Sequence, residues 1–346
     1  MSYAILDDAL ESMADAGPEL ANGLTNHAPM ALEALCALDR ADAVRPWLDH
    51  YRPAMLPRPP SVERIQPGAW KSALACPERF ADFRELIADD LKEAAWPAVL
   101  DRWTQRLTPG ISAAAMHGAI RVGHAARALA ESITPPRLDE LASAIAYWAS
   151  TYQALPTRFD GHGSIDPRQA IAQVAVVPTA QRKFAGTITS SLEALDEFPA
   201  FATVIGRAKL DGDSPTTISH LTETFAKVYL ANAHDVLTTI VFIHGVTSAT
   251  AVRSLIPHVC ASTGRALLPY LWQAECALYA TFGARPAPAD PVAPPPESRD
   301  TLIARAVANG DEHVIKFTET CLREDALNPS PIYRAAARHA IKMINA

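Results

Sequence analysis

The chain has 346 residues, with 31 Lys and Arg against 38 Asp and Glu, so its formal net charge at pH 7 is −7. An acidic chain without a basic block is unsuited to nucleic-acid binding, because phosphate contacts need clustered Lys and Arg. Apolar residues make up 49% of the chain, which excludes disorder over most of its length. The length allows about two domains or one large core.

The first residues and the cysteines predict a cytoplasmic protein that does not span a membrane. Residues 1–8 contain neither the basic nor the apolar segment of a signal peptide. The longest apolar stretch, Val236 to Val246, is shorter than the roughly 20 residues of a membrane helix. The five cysteines are scattered without a CxxC pair, a pattern typical of reduced thiols and not of a zinc ribbon.

Hydrophobic residues recur with a helical period along the chain. One predicted helix has Pro29 in its first turn, with Asn26 or Thr25 as its cap. The further segments predicted as helical are 83–107 (one helix or a pair kinked at Pro97), 112–132, 137–155, 216–260 (at least two helices), 262–282, 301–309, 311–324 and 331–345. The helix from about Asp235 is apolar nearly all round and is predicted to be buried. No segment alternates with period two, so the sequence predicts an all-α fold, a large helical bundle.

Two stretches interrupt this pattern. Residues 155–177 are typical of a loop. Residues 285–298 hold six of the 28 prolines and indicate an extended connector. The helices after the connector are too small for a core of their own, so we expect them to pack back on the bundle. The prediction is therefore a single helical domain, 1–346, with the connector inside it.

The eleven histidines are the most unusual feature of the composition. Six have ordinary surroundings and are expected to be structural or at the surface: His50, His162, His220, His234, His258 and His339. Of the other five, His27 lies at a helix N-terminus, where the dipole keeps an imidazole neutral. His117 and His124 share a helix rich in small residues, His244 interrupts an apolar run, and His313 begins another helix.

Spacing separates these five histidines. Two ligands of one metal ion lie within about 4–5 Å of each other. His117 and His124 are separated by a helical rise of about 10 Å, so they are not expected to bind the same ion. His313 and Lys316 are three residues apart and can converge. An ammonium is no metal ligand, but a neutral amine or a CO2-derived carbamate is. Spacing leaves open both a shared metal site and a set of hydrogen-bonded core histidines.

Four short segments carry a resemblance to a known family. They are Asn26-His27, His117-Gly118-Ala119-Ile120-Arg121, Phe242-Ile243-His244-Gly245-Val246-Thr247 and His313-Val314-Ile315-Lys316. In this order, over residues 26–316, they resemble the questin oxidase-like family. The resemblance implies an α-helical oxygenase that oxidises or cleaves a polycyclic aromatic ring, such as an anthraquinone, with a Baeyer–Villiger or a dioxygenase outcome.

The resemblance also implies a metal site with one coordination position open to O2. The ligands of a non-haem Fe(II) ion would be His27, His117, His244, His313 and a carbamate on Lys316. Arg121 and His124 stand where the family pattern has His and Tyr, and with Thr247 they are the candidate catalytic residues. Asp311, Glu312 or Thr247 would orient imidazole N–H groups. NADPH is the candidate external reductant for a monooxygenase reaction, although the sequence has no GxGxxG motif to bind it.

The expected partners are a small aromatic molecule and O2, without nucleic acid or membrane, and the chain is expected to be a monomer or a homodimer. Candidates to stack on a flat substrate, with core packing as the alternative, are Trp148, Tyr152, Phe184, Tyr229 and Phe317. Two other functions stay open. His234-Asp235 would serve an HD-type metal phosphohydrolase, and a helical binding protein would need no metal.

Overall fold

The computed structural model describes residues 3–161, 163–184, 186–284 and 297–344. The contacts divide the chain into two compact units. Unit 1 comprises Met1–Gln153 with Ser254–Thr263, and unit 2 comprises Ala154–Arg253 with Gly264–Ala346. The predicted connector 285–298 lies outside the described residues except for its last two positions. The assignment of a single domain stays a prediction.

Helices dominate the first part of the chain, as predicted. Their bounds are α1 Ala4–Ser12, α2 Ala28–Ala37, α3 Ala41–Tyr51, α4 Phe80–Glu93, α5 Trp96–Leu107, α6 His117–Glu131 and α7 Pro135–Ser150. Within unit 1, α7 packs against α4 and α6, and α6 packs against α2. Pro29, Pro97 and Pro135 lie in the first turns of their helices, where a missing N–H costs no hydrogen bond. The predicted segment 83–107 is therefore a helix pair that divides just before Pro97.

The later helices confirm the all-α prediction. Their bounds are α8 Pro167–Ala170, α9 Ile188–Ser191, α10 Ser214–Asn232, α11 Val236–Leu255, α12 Ala261–Phe282, α13 Arg299–Asn309, α14 Glu312–Leu327 and α15 Pro331–Met343. Within unit 2, α15 packs against α10 and α14, and α13 packs against α14. Asp213, Ser298 and Asp311 cap α10, α13 and α14 by accepting backbone N–H groups, which satisfies donors at each helix start.

The apolar helix predicted from about Asp235 is buried. In the described part of the chain, one helical stretch, Val236–His258, is long and apolar enough to cross a membrane by length and composition. However, 78% of its most apolar window is buried inside the protein, as expected for the core helix of a folded bundle. The prediction of burial is therefore confirmed.

A small antiparallel sheet accompanies the helices of the all-α fold. Strand β1, Ala16–Leu20, pairs with strand β2, Met55–Pro57. Each strand contains a proline, which in sequence argues against a strand but is tolerated at a sheet edge. Gly17 permits the close approach, because a Cβ atom there would lie 2.8 Å from the carbonyl oxygen of Pro57.

Helix α6 begins at His117, five residues later than the predicted start at Ser112. Ala114, Ala115 and Met116 have φ angles of 47°, 56° and 70°, which a right-handed helix cannot contain. The sequence gives no sign of this left-handed turn, because alanine has the highest helix propensity of all residues. The turn makes His117 the first residue of α6.

A buried carboxylate joins three elements of unit 1. Glu33, on α2, is 2% exposed and accepts a 2.5 Å hydrogen bond from the hydroxyl of Tyr3, just before α1. On α6, His124 Nδ1 lies 2.6 Å from Glu33 Oε2, and Arg127 Nε lies 2.6 Å from Glu33 Oε1. Burial acts to raise the pKa of Glu33, but Arg127 and His124 outweigh it and hold that pKa far below its ordinary value. This Glu33 cluster therefore fastens α2 to α6.

Replacing Glu33 by Gln should lower the free energy of unfolding by about 3 kcal/mol, because it leaves the Arg127 charge without its buried partner. Urea denaturation followed by circular dichroism measures the change. Asp42→Asn is the matched control, since Asp42 pairs with Arg40 and its side chain is 66% exposed. The control should cost less than about 1 kcal/mol, and equal losses in the two variants would contradict the role of the cluster.

Candidate metal centre

Unit 1 brings two of the predicted ligands together. His27 is the residue just before α2, and His117 is the first residue of α6. Their ring centroids lie 4.5 Å apart at an interplanar angle of 32°. Both side chains are buried, with exposures of 4% and 7%. The packing of α2 against α6 thus pairs two imidazoles that are 90 positions apart in the sequence.

Hydrogen bonds fix the position of this pair. The backbone N–H of His27 donates to the hydroxyl of Tyr51 at 3.0 Å. Nδ1 of His117 lies 2.5 Å from the carbonyl oxygen of Ala114 and 3.4 Å from Thr25 Oγ1. Thr25 Oγ1 is in turn 2.7 Å from the hydroxyl of Tyr147, and burial raises the pKa of Tyr147 to about 12. A proton on Nδ1 of His117, directed at Ala114, places the lone pair of the neutral ring on Nε2.

Unit 2 brings the other three predicted ligands together. His244 lies in the middle of α11, and His313 and Lys316 lie one turn apart at the start of α14. The two imidazole centroids are 5.9 Å apart at 67°. All three side chains are buried, and Lys316 is only 3% exposed. The structure thus adds His244, from α11, to the pair that the spacing predicts on α14.

Each imidazole of unit 2 presents Nδ1 to an oxygen atom. Nδ1 of His244 lies 2.7 Å from the carbonyl oxygen of Ile240, one turn earlier on α11. Nδ1 of His313 lies 3.3 Å from Oδ1 of Asp311 and 3.8 Å from Oε1 of Glu312. Asp311 and Glu312 are thus the carboxylates near Nδ1 of His313, and Nε2 of each ring lies on the side opposite these oxygen atoms.

Burial sets the protonation state of the unit 2 cluster. It lowers the pKa of His244 to about 3, assisted by the nearby His313 and Lys316. Burial also lowers the pKa of Lys316 to about 8, although Glu312 and Asp311 act in the opposite direction. At neutral pH, His244 is therefore an uncharged base, and about a tenth of Lys316 is the neutral amine that reacts with CO2.

The donor set suits a transition-metal ion. Imidazole nitrogen is a ligand for iron, copper and zinc, and a ligating histidine normally donates its other N–H to a carbonyl or carboxylate oxygen. His117, His244 and His313 each have such an oxygen beside Nδ1. This orientation is compatible with ligation through Nε2, although His124 and His339 also have Nδ1 beside an oxygen atom.

The candidate catalytic residues are each engaged with the scaffold. Arg121 forms a two-pronged ion pair with Glu140 at 2.6 and 2.8 Å. His124 belongs to the Glu33 cluster. The hydroxyl of Thr247 donates to backbone carbonyl oxygens in the preceding turn of α11, at 3.0 and 3.4 Å. These contacts place the three residues where they can set the position of the elements that carry the ligands.

The partners of Arg121 and His124 are the part of the site that sequence reasoning missed. Glu140 and Glu33 lie 19 and 91 residues from the side chains they bind. No short-range spacing signals such pairs. The hydroxyls of Thr25 and Tyr147, beside His117, were missed for the same reason, with 122 residues between them.

The other sequence candidates do not form a second metal site. His234 and Asp235 are exposed, and Asp235 caps α11 by accepting the N–H and the hydroxyl of Thr238. In the described ranges, neither belongs to a group of potential metal ligands.

Three of the aromatic residues considered for stacking on a substrate, Trp148, Tyr229 and Phe317, are core residues, with exposures of 1%, 0% and 0%.

A comparison with sequence families agrees with the resemblance carried by the four segments. A family model described as Questin oxidase-like matches residues 24–321. The match includes all five candidate ligands and most of both units. No curated protein matches the chain.

Replacing Ala114 by Gly tests the left-handed turn before His117. A non-glycine residue in this region costs roughly 1–2 kcal/mol, so Ala114→Gly should leave the free energy of unfolding unchanged or raise it. Ala88→Gly is the control, because Ala88 is a half-buried alanine within the right-handed helix α4. The control should lose about 1 kcal/mol in the same urea titration. An equal loss in both variants would exclude strain at Ala114.

The pH dependence of the metal-free protein tests the burial of His244. Its folded pKa of about 3 lies below the ordinary value, so the unfolded chain binds the extra proton at intermediate pH and stability falls as the pH falls. Between pH 6.5 and 4.5, this group should cost about 2–3 kcal/mol. We expect His244→Gln to show a shallower decline by that amount, and the exposed His50→Gln to follow the wild type. Parallel curves for all three proteins would contradict the prediction.

Proposed function

The chain belongs to the questin oxidase-like family and is an oxidoreductase of that family, and from this we propose that it is a non-haem iron oxygenase. Its proposed substrate is a polycyclic aromatic compound of the anthraquinone type. The proposed reaction uses O2 to oxidise or cleave a ring, with a Baeyer–Villiger-like or a dioxygenase outcome.

One observation carries the proposal: His117, His244 and His313 are buried and each has Nδ1 beside a protein oxygen. This leaves Nε2 as the donor atom in each case. Neutral nitrogen donors and a carboxylate are the ligand types that non-haem iron oxygenases use. His27 adds a fourth buried imidazole, 4.5 Å from His117.

We propose that the chain binds one Fe(II) ion, as the family resemblance implies. The ligands would be His27, His117, His244, His313 and a carbamate on Lys316. The neutral amine of Lys316 would attack CO2 and release a proton to form a carbamate. The side chain would thereby change from its usual cationic form into an anionic oxygen donor. Bound Fe(II) would supply the electrons and the open position that O2 activation requires.

The chain's other polar residues would keep these donors in place. Asp311 would hold the His313 ring through Nδ1, and the carbonyl of Ile240 would hold His244. Arg121, His124 and Thr247 would act as positioning residues, since each lies on a helix that carries a candidate ligand. We propose NADPH as an external reductant for a monooxygenase reaction, and a monomer or homodimer in a reducing cytoplasm. The free thiols of the chain suit that compartment.

Metal analysis of the protein loaded anaerobically with Fe(II) tests the proposal. We expect about one iron per chain in the wild type, and loss of the metal in His244→Ala and in Lys316→Met, because each removes a ligand. His234→Ala is the control and should keep its iron, since His234 is exposed at the start of α11. Removal of CO2 should also release iron, and carbon-13-labelled bicarbonate should restore both iron and a carbamate signal in the NMR spectrum.

The alternatives give different results in the same experiment. Two metal ions per chain that depend on His234 and ignore Lys316 would indicate a phosphohydrolase. A metal-free protein whose Lys316→Met variant is unchanged would indicate a helical binding protein. Either outcome would overturn the proposed oxygenase.

A further inference from the structure

A buried tyrosine of unit 2 is hydrogen-bonded to a histidine that the metal site does not use. Tyr229 lies on α10 and is 0% exposed. Its hydroxyl is 2.9 Å from Nδ1 of His339, on α15. The two rings meet edge to face, with centroids 5.4 Å apart at 87°. His339 itself is only half-buried, so the pair runs from the core towards the surface.

Burial and the neighbouring groups favour the neutral form of both Tyr229 and His339. Burial raises the pKa of Tyr229 well above its ordinary value, and Cys321 adds to this effect. Burial lowers the pKa of His339, and Lys342 and His234 lower it further. In the neutral tautomer that carries its hydrogen on Nε2, the imidazole accepts the hydrogen of the phenol on Nδ1. An imidazole in this state can take up the phenol's proton.

One aromatic contact links Tyr229 to the helix of two candidate ligands. The ring centroid of Phe317 lies 4.9 Å from that of Tyr229. Phe317 follows Lys316 directly and lies one helical turn after His313, on the same side of α14. Tyr229 therefore contacts both His339 and a neighbour of the candidate ligands in α14.

We propose that Tyr229 and His339 form a redox-active pair, in which Tyr229 gives one electron to an oxidant while its hydroxyl proton passes to Nδ1 of His339. The products are a neutral tyrosyl radical and an imidazolium, and the oxidant is reduced by one electron. The inference rests on the proposed function for its natural oxidant, which is an O2-derived species at the metal centre. An external reductant returns the electron, and the proton moves back to Tyr229.

The proton acceptor His339 distinguishes Tyr229 from a tyrosine with only a structural role. The phenol of a tyrosine becomes strongly acidic once it has lost an electron, so its oxidation at neutral pH requires a nearby proton acceptor. Tyr333 provides the comparison within the same unit. It is also 0% exposed, but its hydroxyl lies 3.0 Å from the hydroxyl of Thr222, which is not a base. The carboxylate of Glu324 is hydrogen-bonded to Thr222 at 3.1 Å, so Thr222 lies between it and Tyr333.

Photochemical oxidation of the metal-free protein tests the pair independently of iron. Ruthenium(III) tris-bipyridine, generated by a laser flash, is the one-electron oxidant, and the tyrosyl radical is followed by electron paramagnetic resonance with ring-deuterated tyrosine. We expect Tyr229→Phe to remove the long-lived signal and Tyr333→Phe to leave it unchanged. His339→Gln keeps a hydrogen-bond acceptor but no base, and should slow radical formation by about a hundredfold.

Either of two results would overturn the proposed Tyr229–His339 pair. A long-lived radical that survives in Tyr229→Phe, or one formed at the same rate in His339→Gln, would exclude the pair. Circular dichroism and urea denaturation establish that the compared variants are folded.

A second measurement separates this inference from the proposed function. The Fe(II)-loaded protein is mixed with O2 without substrate and frozen within milliseconds to seconds. A tyrosyl signal that depends on Tyr229 supports both proposals. A signal with ruthenium but none with iron and O2 keeps the redox pair and removes its link to the metal centre. A protein that binds iron but gives no Tyr229 radical with either oxidant overturns the pair and leaves the proposed oxygenase standing.

Discussion

The requirement for neutral imidazoles in a buried site is the constraint on which the rest of the candidate centre depends. Burial penalises a charged ring, and the pKa of His244 falls to about 3. A neutral ring still has one N–H to satisfy. His117, His244 and His313 have an oxygen for it within four residues of their own position in the chain. Because that oxygen is local, the helix or turn that carries each histidine also orients its ring and leaves Nε2 for a ligand.

The candidate ligands occupy two kinds of helix position. His27, His117 and His313 lie at or beside the first residues of α2, α6 and α14. His244 lies in mid-helix, where burial lowers its pKa and the nearby His313 and Lys316 add to the effect. Histidines at helix starts keep their relative positions only if the helices themselves are held together, and the Glu33 cluster does this for α2 and α6. His124 therefore matters for the geometry of the His27–His117 pair without being a ligand itself.

Helices and candidate ligands could be predicted from the sequence because both are encoded locally, by hydrophobic period and by polar residues in apolar or small-residue surroundings. The features that could not be predicted depend on contacts distant in sequence or on backbone shape. The left-handed turn at Ala114 to Met116 consists of residues that favour a right-handed helix. The β1–β2 pairing uses strands with prolines. The partners of Arg121 and His124 come from other helices, and no spacing rule connects them.

The contact between Tyr229 and His339 shows what such distant pairing can add. Local sequence assigned His339 to the surface, yet the packing of α15 on α10 brings it to a phenol 110 residues away. A buried tyrosine needs only some acceptor for its hydrogen, and Tyr333 lies beside the hydroxyl of Thr222. Tyr229 instead has a base whose pKa is lowered by burial and by neighbouring cations. Satisfying a hydrogen bond does not require a titratable partner, whereas loss of an electron from a buried phenol does require one. The choice of partner is therefore what distinguishes a redox role from core packing.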